Sequence, residues 1–98
     1  MTVYVDELES YGWVVRGRKT QSCHLFSDSL DLGDLHAVAA RAGMQRRWFQ
    51  DKRSCPHYDL VPSKRQAAIA AGAVEVDRET AVRIWRIRRY LLRRAARK

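Results

Sequence analysis

Each of the three histidines in this sequence lies within four residues of an aspartate, a combination that can bind a divalent metal or transfer protons. His57 precedes Asp59 by two residues, and alternate residues of an extended strand point to the same side. If the fold gathers these side chains into one pocket at the strand ends, they form a candidate catalytic site for phosphodiester chemistry. The candidate residues are His24, Asp28, His36, His57 and Asp59.

The competing interpretation of the same residues is structural. A histidine in a helix is often half-buried, and a histidine beside a loop often only fixes the backbone through hydrogen bonds. The sequence has no metal-ligand motif of fixed spacing, no nucleophile elbow and no glycine-rich phosphate loop. We therefore predict no cofactor and no metal site, and enzymatic activity is the less favoured alternative.

A zinc site made from two Cys-His pairs is a further alternative. The suitable ligand types are Cys23, His24, Cys55 and His57. Structural zinc sites usually hold two cysteines a few residues apart, a spacing that is absent here. Neighbouring residues of a strand also point to opposite faces, so Cys23 and His24 are poorly placed to share one ion.

Basic residues mark two candidate anion-binding regions. Lys64 and Arg65 follow Ser63, which together with Gln66 has the capping-box pattern of a helix start, where an anion is favoured. The second region is residues 78–98, with nine basic residues and one acidic residue, whereas residues 1–77 hold ten of each. The net charge of +8 therefore belongs to the C-terminal segment, which suggests a polyanionic partner.

Residues 81–98 have an amphipathic pattern at helical spacing. Its apolar arc contains Ala81, Ile84, Trp85, Leu91, Leu92, Ala95 and Ala96. The opposite side carries Arg83, Arg86, Arg89, Arg93, Arg94 and Arg97. Arg88 lies in the middle of the apolar arc, where it must extend to solvent, find a carboxylate or mark the point where the helix leaves the body. Since arginine forks onto phosphate oxygens and stacks on bases, we predict that the arginine side binds DNA or RNA with low sequence specificity.

Three alternatives to nucleic-acid binding remain open for this basic helix. It could present a solvated polar face while its apolar arc packs on the rest of the domain. It could also bind an acidic protein, or lie on an anionic membrane surface, for which Trp85 is chemically suited. One acid among nine bases differs from the mixed charges of an ordinary solvated face.

Alternating strand and helix patterns predict a small single α/β domain, with about four strands in a mixed sheet, crossover helices and a long basic C-terminal helix. An α+β arrangement is the alternative. We divide the chain into a charge-balanced body, 1–77, and an arginine-rich helix, 78–98. Strands are predicted at 3–5, 23–27, 44–49 and 73–76, and the earlier helices at 32–42 and 63–71. Residues 13–15 could be a strand or an arm, and residues 55–60 a short extended piece.

Composition points to a cytoplasmic protein. No apolar run approaches the roughly 20 residues that cross a bilayer, and the acidic residues 1–9 are unlike the basic start of a signal peptide. Two cysteines are too few for a secreted disulfide framework, so we expect reduced thiols in a reducing compartment, with one disulfide as the alternative.

Several short pieces of the sequence together resemble a known family. The resemblance covers about residues 3–76 and identifies the chain as similar to the domain-of-unknown-function family 4031, small proteins of bacteria and their phages. The family implies no established activity, and the arginine-rich segment lies outside the resemblance. The matching pieces are Tyr4-Val5-Asp6, His24-Leu25 with Asp28-Ser29, Leu35-His36-Ala37, Trp48-Phe49-Gln50, His57-Tyr58-Asp59-Leu60, Ser63-Lys64-Arg65 and Gly72-Ala73-Val74.

These observations predict a non-catalytic accessory or regulatory module that contacts nucleic-acid phosphates through its C-terminal helix. The first alternative is a small metal-dependent hydrolase or nuclease that uses the histidines and aspartates. The second is a protein-binding module, such as an inhibitor of a host factor, with Trp85, Leu91 and Leu92 exposed as the contact. The sequence does not decide the oligomeric state.

Overall fold

A four-stranded mixed sheet and three helices make up the α/β fold, as predicted. The computed structural model describes residues 2–10, 12, 14–53 and 55–96. The strands are β1 (Val3–Val5), β2 (Val14–Val15), β3 (Arg18–Lys19), β4 (Cys23–Ser27), β5 (Tyr58–Leu60) and β6 (Val74–Glu75). The helices are α1 (Gly33–Arg41), α2 (Pro62–Ala70) and α3 (Arg78–Ala96), with a 3-10 turn at Arg46–Trp48.

The main sheet has the strand order β5-β4-β1-β6. Its central strands β1 and β4 are antiparallel, β5 runs antiparallel to β4, and β6 runs parallel to β1. The short strands β2 and β3 form a separate antiparallel hairpin whose turn contains Arg16 and Gly17, both with positive φ. Trp13, predicted to lie in a strand or an arm, is outside the described residues.

The two faces of the main sheet have different chemistry because successive residues of a strand alternate between them. One face forms the core with α1 and α2, and its side chains are Val3, Val5, Cys23, Leu25, Tyr58 and Leu60. The opposite face, which we call the site face, carries polar and aromatic side chains. These are Tyr4, Asp6, His24, Phe26, His57 and Asp59.

Helix α3 packs its N-terminal half against the site face. The Asp77 carboxylate accepts the Thr80 backbone N–H at 2.7 Å, which caps the helix. One turn and a half further on, the Trp85 ring centroid lies 5.0 Å from that of Phe26. Arg88 is buried and its Nε donates to the Ser29 carbonyl at 3.1 Å. The arginine within the apolar arc therefore finds a backbone carbonyl.

Two predicted elements are wrong. Residues 44–49 do not form a strand, because only Gln50 meets the main sheet, in a bridge to His57, and the exposed turn Arg46–Trp48 has no strand beside it. Helix α2 begins at Pro62 and has no side-chain cap, so the capping box at Ser63 does not form. The fixed φ of proline suits the first turn of a helix, which explains the earlier start.

Within the described residues, no helix is both long enough and apolar enough to cross a membrane.

The two cysteines are thiols in different environments. Cys23 is fully buried, and burial, reinforced by the nearby Asp6 carboxylate, raises the pKa of its thiol to about 12. Cys55 is only half-buried. Because the thiolate is the reactive form, we expect a thiol reagent at pH 8 to label Cys55 in the native protein and Cys23 only after denaturation. Mass spectrometry of the labelled peptides checks this, and rapid native labelling of Cys23 would contradict it.

Candidate metal centre

The pairing of β4 with β5 brings two candidate residues face to face. His24 of β4 lies directly opposite Asp59 of β5 in the antiparallel register. His57 precedes β5 and points to the same side as Asp59, as their spacing predicts. Three of the five candidate residues therefore meet on the site face.

The donor atoms of His24, His57 and Asp59 form a compact triangle. Asp59 Oδ1 lies 3.4 Å from His57 Nε2 and 3.9 Å from His24 Nε2, and the three donor atoms all lie within 4.8 Å of one another. In a tetrahedral zinc site, metal–ligand distances of about 2.0–2.1 Å place neighbouring donor atoms roughly 3.3 Å apart. The Asp59–His57 distance already matches this spacing, and His24 must move closer for the triangle to hold such an ion.

The hydrogen bonds of both histidines leave their Nε2 atoms facing this triangle. His24 Nδ1 lies 2.8 Å from an Asp6 carboxylate oxygen, and His57 Nδ1 lies 2.7 Å from the Cys55 carbonyl oxygen. A carboxylate and a carbonyl only accept, so both Nδ1 atoms carry hydrogen and donate it. Partners of this kind orient metal-binding histidines. Two ring nitrogens and a carboxylate oxygen thus converge where a cation would bind.

The pKa values of His57 and Asp59 reflect the same arrangement. The hydrogen bond from His57 lowers the pKa of Asp59 below its usual value, with a smaller contribution from Gln50. Burial alone would lower the pKa of His57, but its hydrogen bonds to Asp59 and to the Cys55 carbonyl outweigh burial and raise it. The pair therefore holds a proton strongly, and a metal ion binding there must displace that proton.

Gln50 positions the third member of the triangle. Its side-chain amide donates to Asp59 Oδ2, so that Oδ1 is the oxygen that faces the two histidines. The backbones of Gln50 and His57 also exchange two hydrogen bonds, of 2.9 and 3.1 Å. Gln50 thereby holds both the Asp59 carboxylate and the backbone of His57.

The triangle is open to solvent on one side. The exposed fractions of the side chains are 23% for His24, 11% for His57 and 30% for Asp59. Three protein ligands with solvent access leave coordination positions for water or a substrate, as in catalytic rather than structural metal sites.

The other two candidate residues lie apart from the triangle. Asp28 accepts hydrogen bonds from the Thr2 backbone and the Tyr4 hydroxyl, which ties the start of β1 to the end of β4. His36 lies on α1, against the opposite face of the sheet. Its Nδ1 is 2.8 Å from the Tyr58 hydroxyl, and burial, with a contribution from Arg46, lowers its pKa.

The predicted anion-binding residues Lys64 and Arg65 already have partners within the protein. Lys64 Nζ donates to the Gly43 carbonyl at 3.3 Å. Arg65 donates to the Asp6 carbonyl and pairs with Glu75, both at 3.0 Å. Arg65 thus holds the backbone of Asp6, the residue that orients His24.

Asp6 and Gln50 are site residues that the sequence pattern did not identify. Asp6 directly follows β1, and the β1–β4 register, in which Val5 is opposite Leu25, places it across from His24. The pieces of the family resemblance include both residues, but nothing in their spacing connects them to the histidines.

Removing the Asp6 carboxylate tests its orienting role. Asp6 accepts both the backbone N–H of His24, at 2.6 Å, and its Nδ1–H. The amide in Asp6→Asn has one acceptor oxygen for these two donors, and losing such a partner typically costs about 10- to 100-fold in metal affinity. We expect a loss of this size in a Co²⁺ titration, with Asp28→Asn as the matched control. Unchanged affinity in Asp6→Asn would contradict the role.

The described arginines of the predicted nucleic-acid face are exposed along α3. They are Arg83, Arg86, Arg89, Arg93 and Arg94, and Arg97 lies outside the described residues. Arg78, Val82, Arg83 and Arg86 contribute to a surface groove beside the N-terminal half of the helix.

The apolar side of α3 is only partly covered. Trp85 packs on the sheet, so it is not available as the exposed contact of a protein-binding module. Leu91 of the apolar arc remains exposed, as do Ile87 and Tyr90 outside that arc.

Fold and site together define a small α/β protein with a two-histidine, one-carboxylate cluster on an open sheet face. The chain belongs to the family described as Protein of unknown function (DUF4031), whose profile matches residues 3–88. The match continues beyond the resembling pieces into α3, so it includes Trp85 and Arg88 as well as the cluster. No curated protein and no solved structure matches the chain.

Proposed function

We propose that this protein is a metal-dependent hydrolase that cleaves phosphodiester bonds in nucleic acid, with the ion held by His24, His57 and Asp59. One observation carries the proposal. Two histidines whose Nδ1 atoms are already committed present their Nε2 atoms to the same carboxylate oxygen. Two ring nitrogens around one carboxylate favour a cation or a proton between them.

The ligand set favours a first-row transition metal. Imidazole nitrogens suit zinc, iron, nickel or copper, whereas magnesium and calcium prefer oxygen alone. A bound ion of this kind would supply Lewis acidity and lower the pKa of a water at the open position. Asp6 and Gln50 would keep the ligands oriented, and the Trp85 ring, whose centroid lies 5.5 Å from that of His24, would exclude water from one side.

Nucleic acid is the substrate class that the charge distribution supports. The arginine side of α3 extends from the helix turn that carries Trp85, beside the cluster. Phosphate groups along a strand would pair with these arginines while one diester reaches the metal. A cytoplasmic location is part of the proposal, because both cysteines are thiols rather than a disulfide, which suits a reducing compartment.

The test is cleavage of fluorescent DNA and RNA oligonucleotides by the full chain after EDTA treatment and desalting. We expect activity to return on addition of Zn²⁺, Mn²⁺ or Co²⁺ and to be lost in His57→Gln. His36→Gln is the matched control, since it changes a histidine outside the cluster. Absence of cleavage with every ion, or equal activity in His57→Gln, would refute the hydrolase.

The second candidate function is non-catalytic binding of nucleic acid through α3. The exposure of its arginines favours it. We expect replacement of Arg86, Arg89, Arg93 and Arg97 by Gln to reduce the slope of log affinity against log salt. The reduction should be on the order of 0.9 for each phosphate of duplex DNA that the variant no longer neutralises. Fluorescence anisotropy across a salt series measures it, and an unchanged slope would rule this face out.

A further inference from the structure

Helix α3 holds two buried N–H groups that have no hydrogen-bond acceptor. They are Trp85 Nε1 and Arg88 Nη1, and no other buried side-chain nitrogen or oxygen in the described part of the chain lacks a partner. A buried donor without an acceptor destabilises a fold, so each one requires a cause such as a ligand or an ordered water. Two on neighbouring residues of one helix face call for a shared cause.

One of the two groups, on Trp85, lies beside the histidine cluster. The Trp85 ring centroid is 5.5 Å from that of His24. Arg88, only 4% exposed, is anchored through Nε to the Ser29 carbonyl. The Asp51 carboxylate, in the loop that leads into His57, favours the charged form of Arg88. Both donors thus lie on the side of α3 that faces the sheet, Trp85 beside His24 and Arg88 one helix turn further on, at Ser29.

We propose that Trp85 and Arg88 form an oxyanion subsite beside the metal centre and bind a non-bridging oxygen of the substrate's phosphoryl group. Both unpaired groups are donors, and one is a cationic guanidinium whose fork matches phosphate geometry. The inference rests on the proposed function, which it deepens by assigning the residues that recognise the phosphate.

The surroundings of Arg88 strengthen its attraction for an anion. Arg88 forms no ion pair with any residue that the structure describes, and burial lowers its pKa. In such a dry environment, a charge-assisted hydrogen bond is stronger than at the surface. Asp51 is the internal competitor for the guanidinium. Because neither donor reaches solvent, entry of a phosphate requires movement of the Trp85 ring.

Inorganic phosphate is the probe that tests the subsite. The full chain, freed of metal and held at constant ionic strength, is titrated while the indole N–H resonance of Trp85, assigned with Trp85→Phe, is followed by NMR. We expect a saturable shift with phosphate and none with acetate. No shift with phosphate would overturn the proposal, and an equal response to acetate would show that the subsite does not select phosphate.

Variants separate the subsite from a general effect of charge. Arg88→Lys keeps the charge but not the fork, and we expect it to weaken phosphate binding at least tenfold. Arg41→Gln removes an exposed arginine at the end of α1, away from the site face, and should leave binding unchanged. Should Arg88→Lys fail to fold, Trp85→Phe serves instead, with the Arg88 Nε–H resonance as reporter. Wild-type affinity for phosphate in whichever of these two variants folds would overturn the proposal.

A parallel Co²⁺ titration distinguishes this inference from the proposed function. If cobalt binds the cluster but phosphate leaves Trp85 unaffected, the subsite is wrong and the metal centre stands. If phosphate binds with the expected dependence on Arg88 but cobalt does not bind, the subsite stands and the metal-dependent function is wrong.

Discussion

Asp59→Asn is expected to reduce the affinity for Co²⁺ or Zn²⁺ by at least about 100-fold, since loss of a mere hydrogen-bond partner of a ligand already costs roughly 10- to 100-fold. The substitution does more than remove a ligand. An asparagine amide can turn its NH₂ group toward His57 Nε2, which lies 3.4 Å from the present carboxylate oxygen, and donate to it. The lone pair that should bind the metal would then be occupied by a proton of the protein.

Isothermal titration calorimetry and the visible spectrum of bound Co²⁺ measure this effect. Asp28→Asn is the matched control, because it makes the same chemical change at the end of β4 but outside the triangle. We expect it to bind metal as the wild type does. Equal losses in both variants would show that overall charge or folding, rather than ligation by Asp59, controls the metal, and wild-type affinity in Asp59→Asn would refute the site.

The local chemistry of the cluster could be predicted from the sequence, but its assembly could not. The two-residue spacing of His57 and Asp59 correctly predicts a shared side, because strand alternation is a local rule. The partnership of His24 with Asp6 depends on which residues face each other across β1 and β4. Strand register is set by the turns and by the packing of the whole core. The 18 positions between Asp6 and His24 therefore do not reveal that the two residues are partners.

Helix placement decided which histidine stayed outside the site. His36 belongs to α1, which packs on the core face, so its side chain meets Tyr58 rather than the cluster. Periodicity predicts that α1 exists, but not the side of the sheet on which it packs. For α3 the same periodicity was more informative. Its apolar arc predicted that Trp85 could pack on the domain, and Arg88 within that arc marked a position under special constraint.

Metal affinity is expected to fall steeply as the pH is lowered. A metal ligand must be deprotonated. Burial opposes the charged form of His57, but hydrogen bonds to Asp59 and to the Cys55 carbonyl outweigh it and hold the pKa of His57 above its usual value. Below that raised pKa each bound ion displaces at least one proton, so the affinity should drop about tenfold per pH unit. Asp59 adds nothing to this dependence near neutrality, since its pKa is lowered and it stays ionised.

Calorimetry in two buffers of different ionisation enthalpy counts the protons that Zn²⁺ releases. At pH 6 we expect about one or more per ion, and at pH 8 fewer, because a smaller fraction of His57 is then protonated before the metal arrives. His36→Gln should leave the count unchanged, since the pKa of His36 is lowered and its ring contacts Tyr58 instead. Proton release that is equal at both pH values would mean that His57 is not a ligand. The proposed metal centre would then need a different set of ligands.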